Sequence, residues 1–407
     1  MSAVSTVVVV ALAPLAAIFL LPLMSDLAGV AVALPRRWRR RPGASGKEAQ
    51  AARQRLCFLV PAHQERLLVG ACVQALVRMT RARADADVYV IADNCTDDTA
   101  AIAAAAGARV LERRDLEKRG KPQAILWAMD QLPLGEYDAV VIIDADTVVE
   151  PAFADELAAT GPLREAATQA YFGLSNEGDT WLSRLAGLLA AVRYEWQYPH
   201  KARAGLNCPL TGNGMCLGTA VLARSGWAPD SLTENWELYA RYTALGETIR
   251  FAPGALLRSQ EARTLAQSST QRRRWQAGRW LALRDYWRPL LTSRRIGWRQ
   301  KLDALAELSA PGPVVHAAVA GAAGAGLMLL PGRSAQVLGA IFWISLAPIA
   351  GWTAAAWARH PDRGELLVAM VRLPFYAIWR LAVAALAVST GRRGAWHRSP
   401  RHSPEAR

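Results

Sequence analysis

The sequence predicts an α/β protein: a mostly parallel sheet with helices on both faces, flanked by N- and C-terminal transmembrane helices. Three observations carry this reading. Between residues 56 and 253, short apolar runs alternate with Ala-rich helical stretches, the pattern of repeated strand–helix units. Residues 7–34 are almost wholly apolar, and further apolar stretches occupy 313–330, 335–357 and 366–389. The 407 residues are 52% apolar, enough for one large domain or two ordinary ones.

The first apolar stretch is interrupted only by Ser25, Asp26 and two prolines. It exceeds the roughly 20 residues that cross a bilayer. No basic segment precedes it, which argues against a cleaved signal peptide. "RRWRRR" (Arg36 to Arg41) follows at once. The positive-inside rule then places the N-terminus outside and the rest of the chain in the cytoplasm.

Near the C-terminus, residues 313–330 are Ala/Gly-rich, a composition that packs closely against a neighbouring helix. Residues 335–357 follow after the turn "PGRS", and the two stretches read as a transmembrane hairpin. Residues 366–389 carry Arg372, Pro374, Trp379 and Arg380, which suits a helix lying in the interface better than one crossing it. The basic tail "RRGAWHRSPRH" supports that choice. Lys and Arg number 48 against 34 acidic residues, a formal charge of +14. Arginine flanking the membrane accounts for much of it, and no nucleic-acid motif is present. The five cysteines contain no C-x-x-C pair, which argues against a disulfide framework and fits a reducing compartment.

In the soluble part, "LCFLVPA", "DVYVIAD", "ARVLER" and "YDAVVIIDAD" read as strands, with helices over 67–79, 99–106 and 122–131 between them. Ligands of such sheets sit beyond the carboxyl ends of the strands. There stand His63, Gln64 and Glu65, then Asp93, Asn94, Asp97 and Asp98, then "RRDLEKRGK", then Asp144 and Asp146. One acidic strand end is commonly a helix cap. Four in succession point to a site. Asp144 and Asp146 are two apart at a strand end, so the spacing predicts side chains on one face. Carboxylates that close repel unless neutralised, and a hard oxygen site suits Mg2+ or Mn2+. The chain has no G-x-x-x-x-G-K-[ST] loop and no G-x-G-x-x-G after the first strand, which disfavours P-loop NTPases and Rossmann dehydrogenases. In "LTGNGMCLG", Gly212 and Gly214 flank Asn213 and permit either close backbone approach to a ligand or a plain tight turn.

These segments, in order, are "VPAHQE", "ADNCTDDT", "RGK", "DADT", "TGNGM", "LTENWEL" and "QRRRW". Together they resemble the membrane-bound family 2 glycosyltransferases over roughly residues 56–280. The resemblance implies the GT-A, nucleotide-diphospho-sugar transferase type of fold. It implies that Asp93 contacts the donor base, Glu65 lies beside the nucleotide and Lys121 lies near the diphosphate. Asp144 would approach the ribose and diphosphate, and Asp146 would coordinate a bridging Mg2+ or Mn2+. Gln271, Arg274 and Trp275 match Q-x-x-R-W and would close over the donor, leaving Arg272 and Arg273 at the membrane surface. Gly212, Asn213 and Gly214 would lie on the acceptor side.

The resemblance also implies inverting sugar transfer, in which a carboxylate deprotonates the acceptor hydroxyl. Relatives usually take that base from the Asp of T-E-D. Here the triplet is Thr233, Glu234, Asn235, and an amide is no ordinary base. Either Glu234 takes the role, the register is shifted, or catalysis is crippled. Glu234 is favoured, Glu237 is a further candidate, and the bland alternative is that Thr233 and Glu234 simply start a helix.

The expected organisation is an N-terminal transmembrane helix (1–35), a basic linker (36–54) and a cytoplasmic glycosyltransferase domain (55–255). After these come the Q-x-x-R-W and interfacial helices (256–310), a transmembrane hairpin (311–358), an interfacial or third membrane helix (359–390) and a basic tail (391–407). The expected function is metal-dependent transfer from a nucleotide-diphospho-sugar, UDP favoured, to a lipid or polysaccharide acceptor at the cytoplasmic face of the inner membrane. Polysaccharide-assembly proteins are a further class of partner. The alternative is a non-catalytic nucleotide-sugar-binding partner of a polysaccharide synthase.

Overall fold

The computed structural model describes residues 3–37, 54–81, 85–228 and 233–388. "RRWRRR" beyond Arg37, most of the basic linker and the basic tail lie outside the described residues. Helix α1 (Ala3–Arg37) comes first. The alternation then runs β1 (Leu56–Ala62), α2 (Val69–Thr80), β2 (Ala86–Asp93), α3 (Thr99–Ala105), β3 (Arg109–Arg113), α4 (Lys121–Gln131) and β4 (Ala139–Ile142). Next come β5 (Thr147–Val149), α5 (Phe153–Ala158), β6 (Ala167–Leu174), α6 (Trp181–Ala191), α7 (Tyr198–Ala204), β7 (Met215–Gly218), α8 (Thr219–Ser225), α9 (Glu234–Ala244) and β8 (Ile249–Ser259).

The sheet order is β3-β2-β1-β4-β7-β6-β8-β5. The half from β3 to β4 is parallel, as the alternation predicts. Beyond it the sheet is mixed: β7 is antiparallel to β4 and β6, β8 is parallel to β6, and β5 is antiparallel to β8. After β4 the chain makes no helical crossover but turns at once into β5, which pairs with β8 at the far edge; the antiparallel neighbour of β4 is β7, which arrives only after β6, α6 and α7.

Side-chain alternation buries both faces of the central strands. Cys57 and Leu59 of β1 join Val140 and Ile142 of β4 in one core. Leu56, Phe58 and Val60 join Val141 and Ile143 in the other. All five cysteines are free thiols, as their spacing suggests.

The C-terminal part is helical: α10 (Leu265–Thr292), α11 (Trp298–Ser309), α12 (Pro313–Met328), α13 (Arg333–Ile344), α14 (Ala347–Arg359), α15 (Arg363–Met370) and α16 (Leu373–Val388). Among the described residues, two helices are long and apolar enough to cross a membrane, Ser5–Ala31 and Arg333–Arg359. The expected first leg of the hairpin falls short. With 16 residues, α12 is about 24 Å long against a hydrocarbon core of about 30 Å. It packs closely all the same: a side chain at Gly324 would collide with Trp343, and Gly339 lies against the Gly324 carbonyl. The stretch expected as one interfacial helix is two, α15 and α16, bent by 57° at Val371 and Arg372. Pro374, in the first turn of α16, is compatible with a helix start but not with a helix interior.

Buried charge joins α1 to the rest. Ser25 Oγ donates to Asp303 Oδ1 at 2.8 Å, and Trp352 Nε1 donates to Asp26 at 2.8 Å. Lys201 pairs with Asp303 and, at 3.6 Å, with Glu307. Arg279 and Arg193 reach Glu307 at 3.3 and 3.9 Å. Burial by itself would raise the Glu307 carboxyl, but Lys201, Arg193 and Arg279 hold it below its ordinary 4.5. A carboxyl depressed in the folded state gives stability that is present above its unfolded pKa and lost as pH falls through the folded one. The thermal midpoint should therefore drop on acidification below pH 4.5, and Glu307→Gln should flatten that part of the profile. An unchanged acid profile in the variant would contradict the assignment.

Candidate active site

The carboxyl edge of the parallel half is tied by side chains that follow β1 and β2. Gln64 and Asn94 are the only non-glycine residues with positive φ among the described residues, at 57° and 53°. Such strain persists only where neighbours over-determine it. The Gln64 amide nitrogen donates to Thr96 Oγ1 at 2.7 Å, and its oxygen accepts the Thr96 and Asp97 amides at 3.2 Å. Asn94 donates to Asp93 Oδ1 at 2.9 Å and to the Asp115 carbonyl at 3.0 Å. Asp93 is buried, and Arg113 Nη1 donates to it at 2.7 Å. Burial raises the Asp93 carboxyl above its ordinary range, with Arg113 opposing. Glu65 lies in the turn leading into α2, its carbonyl accepting the Leu68 and Val69 amides. The sequence singled out Asp93 and missed Arg113, whose only signal was its place in the charged run after β3.

Lys121 is the hub of the second group. Its Nζ donates to Asp144 Oδ1 at 2.6 Å and to the Gly212 carbonyl at 2.5 Å, and lies 3.4 Å from Glu234 Oε1. Burial favours the neutral amine, but Asp144 and Glu234 outweigh it and raise the Lys121 pKa above 10.5. The ammonium therefore stays charged.

Asp144 and Asp146 are not on a strand. β4 ends at Ile142, and both residues lie in the turn leading to β5, where the Asp144 carbonyl accepts the Thr147 amide at 3.0 Å. The two-apart strand argument thus fails, yet the turn brings both to one cavity. Asn213 fixes that turn: its Oδ1 accepts the Asp144 amide at 3.1 Å and its Nδ2 donates to Thr147 Oγ1 at 2.8 Å. Gly214 has φ 68°, and a Cβ there would lie 3.0 Å from Ala170 Cβ and collide with Leu257. Protein neighbours, not a ligand, require that glycine. Gly212, with φ 89°, faces Glu234 and Asn235.

Helix α9 begins at Glu234, with Thr233 at its N-cap. Thr233 makes no capping hydrogen bond; its Oγ1 is buried without a partner, packed where a Gly278 side chain would be. The expected Thr cap is therefore absent. Glu234 is 7% exposed. Asn235 lines the cavity and donates to the Leu210 carbonyl at 3.0 Å. Glu237 points away, 3.5 Å from the Tyr286 hydroxyl.

The cavity has a volume of about 400 Å3. Asp144, Asp146 and Asn235 line it, together with Pro22, Ser25 and Asp26 of α1 and Pro348 of α14. From α10, Gln271 and Trp275 also line it. Arg274 is close enough for Glu234 and Asp144 to act on it, while burial lowers its pKa. Its Nε is buried with no hydrogen-bond partner. Arg272 is not a membrane-surface residue as expected: it lines the cavity, donates to Ser268 Oγ at 2.7 Å and pairs with Glu261 at 3.2 Å. Arg273 is exposed. A π-helical segment, Val192–Gln197, joins α6 to α7 and turns Arg193, Tyr194 and Gln197 into the cavity. No sequence signal marked it.

No cluster of three or more metal-ligating side chains occurs among the described residues. The carboxylates of Asp144 and Asp146, two apart in one turn, both line the cavity. That fits a hard divalent cation sharing its coordination with substrate phosphates.

Removing Arg113 would leave the Asp93 carboxylate buried without compensation. Arg113→Met should cost about 3–5 kcal/mol of stability, read as a lowered thermal midpoint. A midpoint within error of the parent would show the pair to be dispensable.

Residues 53–278 match the profile of a family described as glycosyltransferase like family 2. A beta-monoglucosyldiacylglycerol synthase from Synechocystis sp. (strain ATCC 27184 / PCC 6803 / Kazusa) is 26% identical over 259 residues, 61% of this chain and 52% of that one. A protein of the same name from Nostoc sp. (strain PCC 7120 / SAG 25.82 / UTEX 2576) is 25% identical over 288 residues, 68% of this chain and 58% of that one. The chain thus spans about half the length of these curated relatives. Among solved structures, the mannosyltransferase PcManGT from Pyrobaculum calidifontis, in complex with GDP-Man and Mn2+, has a TM-score of 0.51 at 17% identity. That likeness covers 92% of this chain and 98% of the other and speaks to the fold. The family profile extends over more than half of the 407 residues, and on that ground the chain belongs to the glycosyltransferase like family 2.

Proposed function

We propose that the chain transfers a sugar from a nucleotide-diphospho-sugar, UDP favoured, to a lipid acceptor at the cytoplasmic face of a membrane that α1 and α13–α14 cross. One observation carries the reading: a single cavity joins Asp144 and Asp146 to Ser25, Asp26 and Pro348 on the membrane helices. A lipid reaching the cavity past α1 and α14 would bring its headgroup to the donor while its acyl chains stay in the apolar phase. This favours a lipid acceptor over a polysaccharide, and the names of the curated relatives agree with it. Arg36 and Arg37 at the end of α1 support the orientation.

Asp93 contacts the donor base, held in place by Arg113 and Asn94, with Glu65 beside the nucleotide. Lys121 and Arg274 take the diphosphate. Arg274 has an unsatisfied buried Nε to offer, and a guanidinium suits phosphate oxygens. Asp146, with Asp144, would hold Mg2+ or Mn2+, which when bound neutralises charge growing on the leaving diphosphate. Gln271 closes over the donor, and Trp275 presents a flat face to sugar or acceptor.

Glu234 is the proton acceptor. In the described state Lys121 neutralises it. A donor diphosphate draws the Lys121 ammonium to itself and leaves the Glu234 carboxylate beside Gly212, free to take the acceptor proton. Asn235 cannot do this; its amide instead holds the Leu210 carbonyl and with it the acceptor-side loop.

The tests use purified protein and nucleotide release from a panel of donors. Asp146→Ala should abolish metal-dependent turnover, and full activity would refute the metal assignment. Glu234→Gln should lower kcat by about 10^2–10^4-fold while donor still binds. Undiminished turnover would remove Glu234, and a gain in Asn235→Asp would favour the shifted register. Nucleotide binding with no turnover of any donor would favour a non-catalytic partner.

A further inference from the structure

The cavity carries charge that neither the donor nor the base accounts for. Five basic side chains line the cavity: Arg193, Lys201, Arg272, Arg279 and Arg380. Four of them have a carboxylate within 4 Å, on Glu261, Asp303 or Glu307. Arg380 has no such partner among the described residues.

Arg380 is also oddly placed. It lies on α16, whose Phe375 and Ile378, three apart, are exposed apolar residues. That side suits contact with lipid. Arg380 and Tyr376, four apart, share the other side, and both line the cavity. Tyr376 is 1% exposed. The Arg380 guanidinium lies near Gly312, where a Cβ would be 3.7 Å from Nη2. An ionisable side chain in a membrane-associated helix, turned from lipid into a cavity, marks a substrate path.

We propose that Arg380, with Arg272 and Tyr376 beside it, forms a subsite for an acidic group on the lipid acceptor. The acceptor is then a lipid with both a free hydroxyl and a phosphate or carboxylate, rather than a neutral diacylglycerol. Arg272 is already paired with Glu261 and fixes the floor of the subsite. Arg380 supplies the unspent charge, and a planar guanidinium accepts either acid by paired hydrogen bonds. The inference rests on the lipid-acceptor reading above.

The test is made on the full chain in neutral detergent without donor, so a chain that transfers nothing still answers it. Native mass spectrometry compares binding of dioleoyl phosphatidylglycerol and dioleoylglycerol to the parent, Arg380→Gln, Arg380→Lys and Arg372→Gln. Arg372 serves as control, since it sits over the Trp181 ring at 5.4 Å and does not line the cavity. The parent should prefer the acidic lipid by about tenfold, the size expected of one charge-assisted contact. Arg380→Gln should lose that preference, while Arg380→Lys and Arg372→Gln keep most of it. No preference in the parent, a preference that survives in Arg380→Gln, or an equal loss in Arg372→Gln would overturn the subsite. Displacement of the lipid by inorganic phosphate alone would mark a soluble-anion site and overturn the lipid assignment. With an active donor in hand, product mass should show sugar on phosphatidylglycerol, and sugar on dioleoylglycerol alone would overturn the proposal.

Discussion

The ammonium of Lys121 is the contact on which the site depends. Asp144 and Asp146 share the turn after β4, and Glu234 reaches them from the start of α9. Carboxylates that close repel, and burial increases the cost. Lys121 meets Asp144 at 2.6 Å and Glu234 at 3.4 Å, and also holds the Gly212 carbonyl. One cation thereby joins the turn after β4, the glycine loop and the start of α9. Its position is set locally, because Gly120 at φ 108° and Pro122 start α4 at that point. By neutralising two acids Lys121 also holds the turn after β4 close to the start of α9.

A second constraint fixes the sheet domain against α1, a helix long and apolar enough to cross a membrane. The contact is polar where an apolar one would be ordinary. Lys201, Asp303, Glu307, Arg193 and Arg279 form a buried ionic cluster, and Ser25 of α1 joins it through Asp303. Breaking one member of such a cluster leaves a buried charge, so it fixes relative position more strongly than it adds net stability. The π-helical segment Val192–Gln197 serves the same geometry, since its wider turn re-aims Arg193 and Gln197. The result is one continuous space from the carboxylate pair to α1 and α14.

The sequence by itself determined the parallel half of the sheet. Its strands alternate between two buried faces and its helices are Ala-rich, so hydrophobic period and length leave little choice over β1 to β4. It also marked candidate residues in recognisable short segments, and of these Asp144, Asp146, Gln271 and Trp275 line one cavity. It marked the long apolar helices by composition alone.

Tertiary structure decided what local pattern cannot carry. The sheet turns antiparallel after β4 because β7, a strand from much later in the chain, inserts beside it, and "YDAVVIIDAD" reads as one strand only while its neighbours are unknown. Arg272 looked like a membrane-surface arginine, but its partner Glu261 is eleven residues away and meets it only when α10 packs beside the end of β8. Arg113 became visible only once β2 and β3 were paired. The division at Glu234 and Asn235 has the same cause. The sequence showed that the usual acid is an amide, and only packing showed that Glu234 faces Lys121 while Asn235 faces the cavity. Pairing energies of charged groups depend on burial and on distances between remote segments, and neither is written in the order of residues.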